Sequence, residues 1–147
     1  MKKNSNVAPT NFTTETLRHG EEIMLMAEKL TEQIIGAAIE VHRHLGPGVL
    51  ESAYEKCLSH ELTLRGIKFR RQVKLPITYK GVVIDCGYRI DILVEETVVV
   101  ELKCIEKVLP VHEAQLLTYL KLSGKRVGLL INFFVSMLTE GITRRVL

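Results

Sequence analysis

Three residues in this chain combine chemistry with an improbable setting: Asp91, Glu101 and Lys103. Glu101-Leu102-Lys103 interrupts the run Val98 to Ile105, which is otherwise made of apolar strand formers and a cysteine. Side chains two apart on a strand share a face, so Glu101 and Lys103 point the same way. Charges embedded in a buried strand are costly unless paired, hydrogen-bonded or bound to a metal. If Glu95-Glu96-Thr97 connects two antiparallel strands, Val94 pairs with Val98, Asp91 falls opposite Glu101, and Arg89 falls opposite Lys103. Directly opposed carboxylates about 5 Å apart repel each other. A hard divalent cation relieves that repulsion, and Mg²⁺ prefers one or two carboxylates completed by water and phosphate oxygens. The spacing therefore points to a divalent-metal site with an adjacent lysine.

The elements that carry these residues follow from periodicity. Thr31 is placed to N-cap a helix in which Ile34, Ile35, Ala38, Val41, His42 and Leu45 form one stripe, stopped by Gly46-Pro47-Gly48. A second helix covers about Leu50 to Arg65 and ends at Gly66. The period then changes from 3.6 to 2. Lys68 to Lys80 alternates as a half-buried strand, with Arg71 the one charged residue on the apolar face and Pro76 marking an edge or bulge. Strands follow over Val82 to Val94 and Thr97 to Ile105, then a helix from Pro110 to Ser123 closed by Gly124, and a buried strand from Arg126 to Phe133. Asp85 reads as a turn residue, and Ser136 to Leu147 has no decisive period. The expectation is one mixed α/β domain over residues 21–147, preceded by a mobile leader at 1–20.

Composition narrows the class. At 147 residues, 46% hydrophobic and 25% charged, the chain suits one packed domain and neither wholesale disorder nor two domains. No apolar stretch approaches the ~20 residues that cross a bilayer, and the polar segment after Met1-Lys2-Lys3 lacks a signal-peptide core. The three cysteines form no C-x-x-C pair, which fits reduced thiols in a cytoplasmic protein. A net charge of +3 permits a nucleic-acid partner without requiring one. Six cations and no acid lie between Arg65 and Lys80, among them Arg71, which either pairs with an acid or reaches a phosphate. There is no phosphate-binding glycine loop of the G-x-x-x-x-G-K-[ST] type.

Asp91 followed by Glu101-Leu102-Lys103 on a strand hairpin resembles the PD-(D/E)XK nuclease superfamily. Gly48-Val49-Leu50-Glu51-Ser52-Ala53-Tyr54 resembles the signature of its GxxExxY proteins, and Gln115-Leu116-Leu117-Thr118-Tyr119 resembles the Q-x-x-x-Y helix of exonuclease-like branches. The resemblance spans about Leu30 to the C-terminus, with Ile90 standing where the superfamily name has proline. It implies a restriction-endonuclease-like core of order α-β-β-β-α-β, a mixed sheet flanked by helices, with an extra N-terminal helix. It implies a Mg²⁺- or Mn²⁺-dependent nuclease acting on DNA. Asp91, Glu101 and the Leu102 backbone carbonyl would bind metal, with Glu51 positioning the metal or its waters. Lys103 would orient the attacking water or stabilise charge on the phosphate. Gln115 and Tyr119, whose helical face His112 shares, would approach nucleic acid, joined by Arg71 and Arg89. A non-catalytic nucleic-acid-binding module, or a structural or regulatory subunit with a buried ion-pair network, is the alternative. So small a domain has little surface for base readout, which leaves either nonspecific cutting or reliance on a homodimer or partner protein.

Overall fold

The computed structural model describes residues 11–147, with side chains from Arg18 onward. The first ten residues of the expected leader lie outside the described residues. The next ten are helical, because helix α1 runs from Asn11 to Leu45 rather than starting at Thr31. Thr31 sits inside it, its hydroxyl donating to the Ala27 carbonyl at 2.7 Å. The apolar stripe begins earlier than expected: Ala27 and Leu30 continue the buried face of Ile34, Ala38 and Val41 toward the N-terminus. Helix α2 spans Glu51–Leu64, and Gly46 to Leu50 connects the two.

A five-stranded sheet packs against this pair. Its order is β1 (Phe69–Lys74), β4 (Arg89–Val94), β5 (Val98–Lys103), β6 (Val127–Asn132) and β7 (Ile142–Val146). Strands β5 and β6 are parallel, joined across one face by helix α3 (Pro110–Ser123), and every other neighbouring pair is antiparallel. The expected strand from Lys68 to Lys80 is broken at Leu75-Pro76. Its second part, β2 (Ile77–Tyr79), pairs only with β3 (Val82–Ile84) as a separate hairpin. Pro76 has a fixed φ and no N–H to continue the ladder, so pairing on the β4 side ends with the Leu75 N–H donating to the Tyr88 carbonyl at 2.8 Å. The undecided tail supplies a 3₁₀ turn (Leu138–Gly141) and β7.

The sheet is covered on both faces. Residues such as Val98, Val100 and Leu102 pack toward α1 and α2, whereas Val99 and Leu130 pack with Leu116, Tyr119 and Leu120 of α3. Strand β6 is buried throughout, as a near-continuous apolar strand between two helical layers should be. This mixed sheet flanked by helices has the restriction-endonuclease-like architecture that the resemblance implied.

Candidate active site

The hairpin register is the expected one. Val94 pairs with Val98, Leu93 with Val99 and Ile92 with Val100. Glu95 and Glu96 close the turn with φ of 50° and 53°, both left-handed as a type I′ connection demands, and the Thr97 N–H donates to the Val94 carbonyl at 2.9 Å. Their side chains are held from outside: Glu95 accepts the Lys68 N–H at 2.8 Å, and Glu96 pairs with Arg70.

Pairing stops at Ile92–Val100, one residue short of the acids. Asp91 and Glu101 therefore do not face each other as a regular ladder pair. Instead the Asp91 N–H donates to Glu101 Oε1 at 3.1 Å, and the Leu102 N–H donates to Asp91 Oδ2 at 2.8 Å. The same divergence overturns the pairing of Arg89 with Lys103: Arg89 is exposed and pairs with Lys74 across β1. Side-chain alternation also resets at Asp91. Ile92 joins the core beneath α1 and α2, while Ile90, two residues away, joins the core beneath α3.

Helix α2 brings the third acid. Tyr54, fully buried, anchors the start of this helix: its hydroxyl donates to the Gly46 carbonyl and accepts the Gly48 and Val49 N–H groups at 3.3 and 3.4 Å. The ring stacks on Phe133 with centroids 4.2 Å apart. Gly48 has φ of 133°, a backbone state that residues with a Cβ rarely adopt. These contacts set Glu51 in the first turn of α2, where it lines a cavity of about 270 Å³ together with Ser52, Glu55, Gln72, Asp91 and Leu102. The larger cavity, about 660 Å³ between Thr63 and the β4–β5 turn, holds none of the candidate acids.

Two lining residues, Glu55 and Gln72, are not among those the sequence singles out. Glu55 lies one helical turn beyond Glu51 and is buried, accepting from Arg71 at 2.7 Å and from Gln72 at 2.6 Å. The i,i+4 spacing of two glutamates is the available clue. Gln72, which lies between the paired residues Arg71 and Val73 of β1 and is itself unpaired with β4, has φ of 51° and also donates to Asp91 Oδ1 at 3.4 Å. Of the two fates expected for Arg71, the structure shows pairing with an acid. It points with Phe69 toward α2, whereas Val73 turns to the α3 side, because the alternation of β1 resets at Gln72 as that of β4 does at Asp91.

The electrostatics are those of an acid cluster short of positive charge. Glu101 is only 6% exposed, and burial followed by repulsion from Asp91 pushes its pKa up to about 9. Asp91 is also raised, mainly by burial and further by Glu55, although the Leu102 N–H opposes the shift. Glu51 is raised by burial and then by Asp91. Lys103, at the end of β5, opposes all three shifts with its positive charge. Asn132 fixes the chain leaving that strand: its amide donates to the Ile105 carbonyl at 2.8 Å and accepts the Ile105 N–H at 3.1 Å.

Helix α3 closes the opposite side. Gln115 donates to the Tyr119 hydroxyl at 3.0 Å, and the Tyr119 pKa is raised by burial and then by the Glu101 charge. His112, three residues before Gln115 in the same helix, caps the helix by accepting the Leu109 N–H at 2.8 Å. Of the residues singled out by type and spacing, Asp91, Glu101, Leu102, Lys103 and Glu51 thus come together, Tyr119 and Gln115 adjoin them, and Arg89 lies exposed at the start of β4, not opposite Lys103.

A family model described as the PD-(D/E)XK nuclease superfamily matches residues 28–146. The chain belongs to the PD-(D/E)XK nuclease superfamily. No curated protein and no solved structure matches it. Nucleases of this superfamily typically use divalent metals. Among the described residues, no three His, Cys, Asp or Glu side chains converge into a ready-made metal cage. The donor set nevertheless fits a hard cation of the Mg²⁺ type, which needs only one or two carboxylates, here with the Leu102 carbonyl, and takes its remaining ligands from water and phosphate. Three carboxylates of raised pKa beside one lysine are a local deficit of positive charge that such an ion would fill. No helix of the described residues is long and apolar enough to cross a membrane.

Proposed function

We propose that this superfamily member is a metal-dependent nuclease of the GxxExxY type that hydrolyses phosphodiester bonds in DNA. The observation that carries the reading is the linked pair Asp91 and Glu101, joined by the Asp91 N–H to Glu101 Oε1, with Glu51 lining the same cavity as Asp91 and a lysine whose charge opposes all three acids. Asp91, Glu101 and the Leu102 carbonyl hold Mg²⁺ or Mn²⁺, and Glu51 at the rim of the cavity positions the metal's waters. The bound cation supplies acidification of a water and neutralisation of phosphate charge.

The protein's own residues do the rest. Lys103 donates to the scissile phosphate or orients the attacking water, a positive charge fixed where negative charge develops. The Leu102 N–H holds one oxygen of the Asp91 carboxylate and the Gln72 amide reaches the other, so the carboxylate is kept in one orientation. Gln115 and Tyr119 meet the nucleic acid from α3, and the exposed Arg89 meets its backbone from the start of β4. Arg71 acts through Glu55, whose carboxylate it neutralises.

The test is a cleavage assay on supercoiled plasmid, linear duplex and single-stranded DNA and RNA, with Mg²⁺, Mn²⁺ or EDTA and with Asp91→Asn as control. Metal-dependent cutting that disappears in the variant establishes the nuclease, and the preferred polymer fixes its class. Binding without cutting on every substrate would move the assignment to a non-catalytic binding module.

A further inference from the structure

The β2–β3 hairpin belongs to neither layer of the core. Its two strands pair only with each other, Ile77 with Ile84 and Tyr79 with Val82, and Lys80-Gly81 closes them with φ of 47° and 79°. A two-residue left-handed turn of this kind matches strand twist and makes a defined ribbon rather than a loose loop. Yet the ribbon is apolar where it meets water: Tyr79 is 60% exposed, Val82 58% and Val83 68%. A two-stranded ribbon with uncovered apolar side chains is marginal on its own and gains by burying them against a partner.

The partner's chemistry is written in the charge. Of the six cations from Arg65 to Ile84, Arg65, Arg70 and Arg71 are paired with Glu61, Glu96 and Glu55, which leaves Lys68 and, at the foot and tip of the ribbon, Lys74 and Lys80 without an ion pair among the described residues. Lys80 lies over the Tyr79 ring, 5.4 Å from its centroid, at the tip, and Lys74 with Arg89 forms the last β1–β4 pair at the foot. One acid, Asp85, sits at the foot, accepting the Gly87 N–H at 2.9 Å, against the three cations Lys74, Lys80 and Arg89. Two copies of such a ribbon would repel each other, whereas a polyanion is attracted. Placement completes the case. Arg89 lies two residues from Asp91, and Tyr88 at the hairpin's foot packs edge-on against Tyr119 with centroids 5.9 Å apart. The ribbon therefore stands beside the candidate active site and is braced by it.

We propose that the β2–β3 hairpin is a duplex-DNA arm that enters the major groove beside the scissile strand. That groove, about 12 Å wide, admits a two-stranded ribbon, and apolar side chains there contact thymine methyl groups. Lys80 and Lys74 reach the flanking phosphates. Single strands have no groove to fill, so the arm selects duplex over single-stranded nucleic acid. That the bound duplex is also the substrate rests on the nuclease reading above.

The experiment uses the full chain carrying Asp91→Asn, so that substrate is not consumed, and a fluorescein-labelled 20-base-pair DNA with its separated strands as probes. Adding Tyr79→Ser and Val83→Ser weakens duplex binding about tenfold and single-strand binding much less. Lys80→Ala lowers the slope of log affinity against log salt by about one. Val83→Glu alone, at an exposed strand position, gives the same loss in duplex affinity if the double variant folds poorly. Duplex affinity unchanged in these variants would overturn the proposal. So would unchanged affinity with loss of self-association in sedimentation, which assigns the ribbon to a second copy of the chain. Hydrolysis of bis(p-nitrophenyl) phosphate with Mn²⁺ by the chain without substitutions is measured alongside. Its absence counts against the nuclease reading and leaves a hairpin-dependent binding result standing.

Discussion

Asp91 and Glu101 are joined through the backbone rather than across a ladder: the Asp91 N–H donates to Glu101 Oε1 at 3.1 Å, just where strands β4 and β5 stop pairing. The donor partly offsets the burial of Glu101, but Asp91 carries its own charge to the same place, and the balance leaves the Glu101 pKa at about 9. The folded chain thus holds a proton there that the unfolded chain, with a carboxyl near 4.5, gives up. Stability from this group is complete below about pH 4.5 and is lost progressively as pH rises through about 9.

Glu101→Gln keeps a neutral acceptor for the Asp91 N–H and removes the titration. The metal-free variant should be more stable than the parent at pH 8 by roughly 1–3 kcal/mol, with little difference at pH 4. Urea unfolding at the two pH values in EDTA checks this. A stability gain of equal size at both would show that repulsion and burial of charge at Glu101 are not its cause.

Metal should reverse that order. A ligand that binds only the folded state at 100 times its dissociation constant stabilises by about 2.7 kcal/mol. Mg²⁺ or Mn²⁺ should therefore raise the melting temperature of the parent chain, and Asp91→Asn or Glu101→Gln should abolish both the rise and the cleavage. Lys103→Ala should keep the metal-induced rise and lose turnover, because in the proposed mechanism the ammonium acts on phosphate or water. Melting curves with and without metal, run beside the cleavage assay, separate the two roles.

The division between what is legible in the chain and what is not has a physical basis. Charges inside an apolar strand run are conspicuous, and the Val94–Val98 register follows from hairpin closure at Glu95-Glu96-Thr97, so periodicity alone is enough to find the acids. Arg89 is misplaced by the same rule because it extends pairing indefinitely, whereas the real strands part at Ile92–Val100 so that the Leu102 N–H can take a carboxylate. Glu55 and Gln72 escape a reading of the sequence because their importance is three-dimensional. A glutamine in a left-handed conformation, away from any turn sequence, leaves no trace in composition or period.

Tyr54 shows how the Gly48–Glu51–Tyr54 spacing works. The glycine permits the loop's backbone, and the buried hydroxyl ties Gly46, Gly48 and Val49 together beneath the N-terminus of α2. Tyr54→Phe keeps the stacking on Phe133 and leaves the Gly48 and Val49 N–H groups without their acceptor. A loss of about 1–2 kcal/mol in stability is expected, with reduced cleavage through a less fixed Glu51. If the stability falls and cleavage does not, the tyrosine supports the fold without placing the glutamate.

Gln72 offers the sharpest separation of strain from bonding. Its φ of 51° is unfavourable for any residue with a Cβ, and in exchange its amide reaches both Glu55 and Asp91. Gln72→Ala keeps the strain and loses the bonds, whereas Gln72→Gly loses both. The glycine variant should therefore be more stable than the alanine variant by about 1 kcal/mol, the cost of a left-handed residue with a side chain. Both should bind Mn²⁺ more weakly than the parent, because Asp91 then keeps the Leu102 N–H but loses its second tether. Equal stability of the two variants would mean that the backbone relaxes once the amide is gone, and that the glutamine's bonds, not the strand geometry, create the left-handed turn.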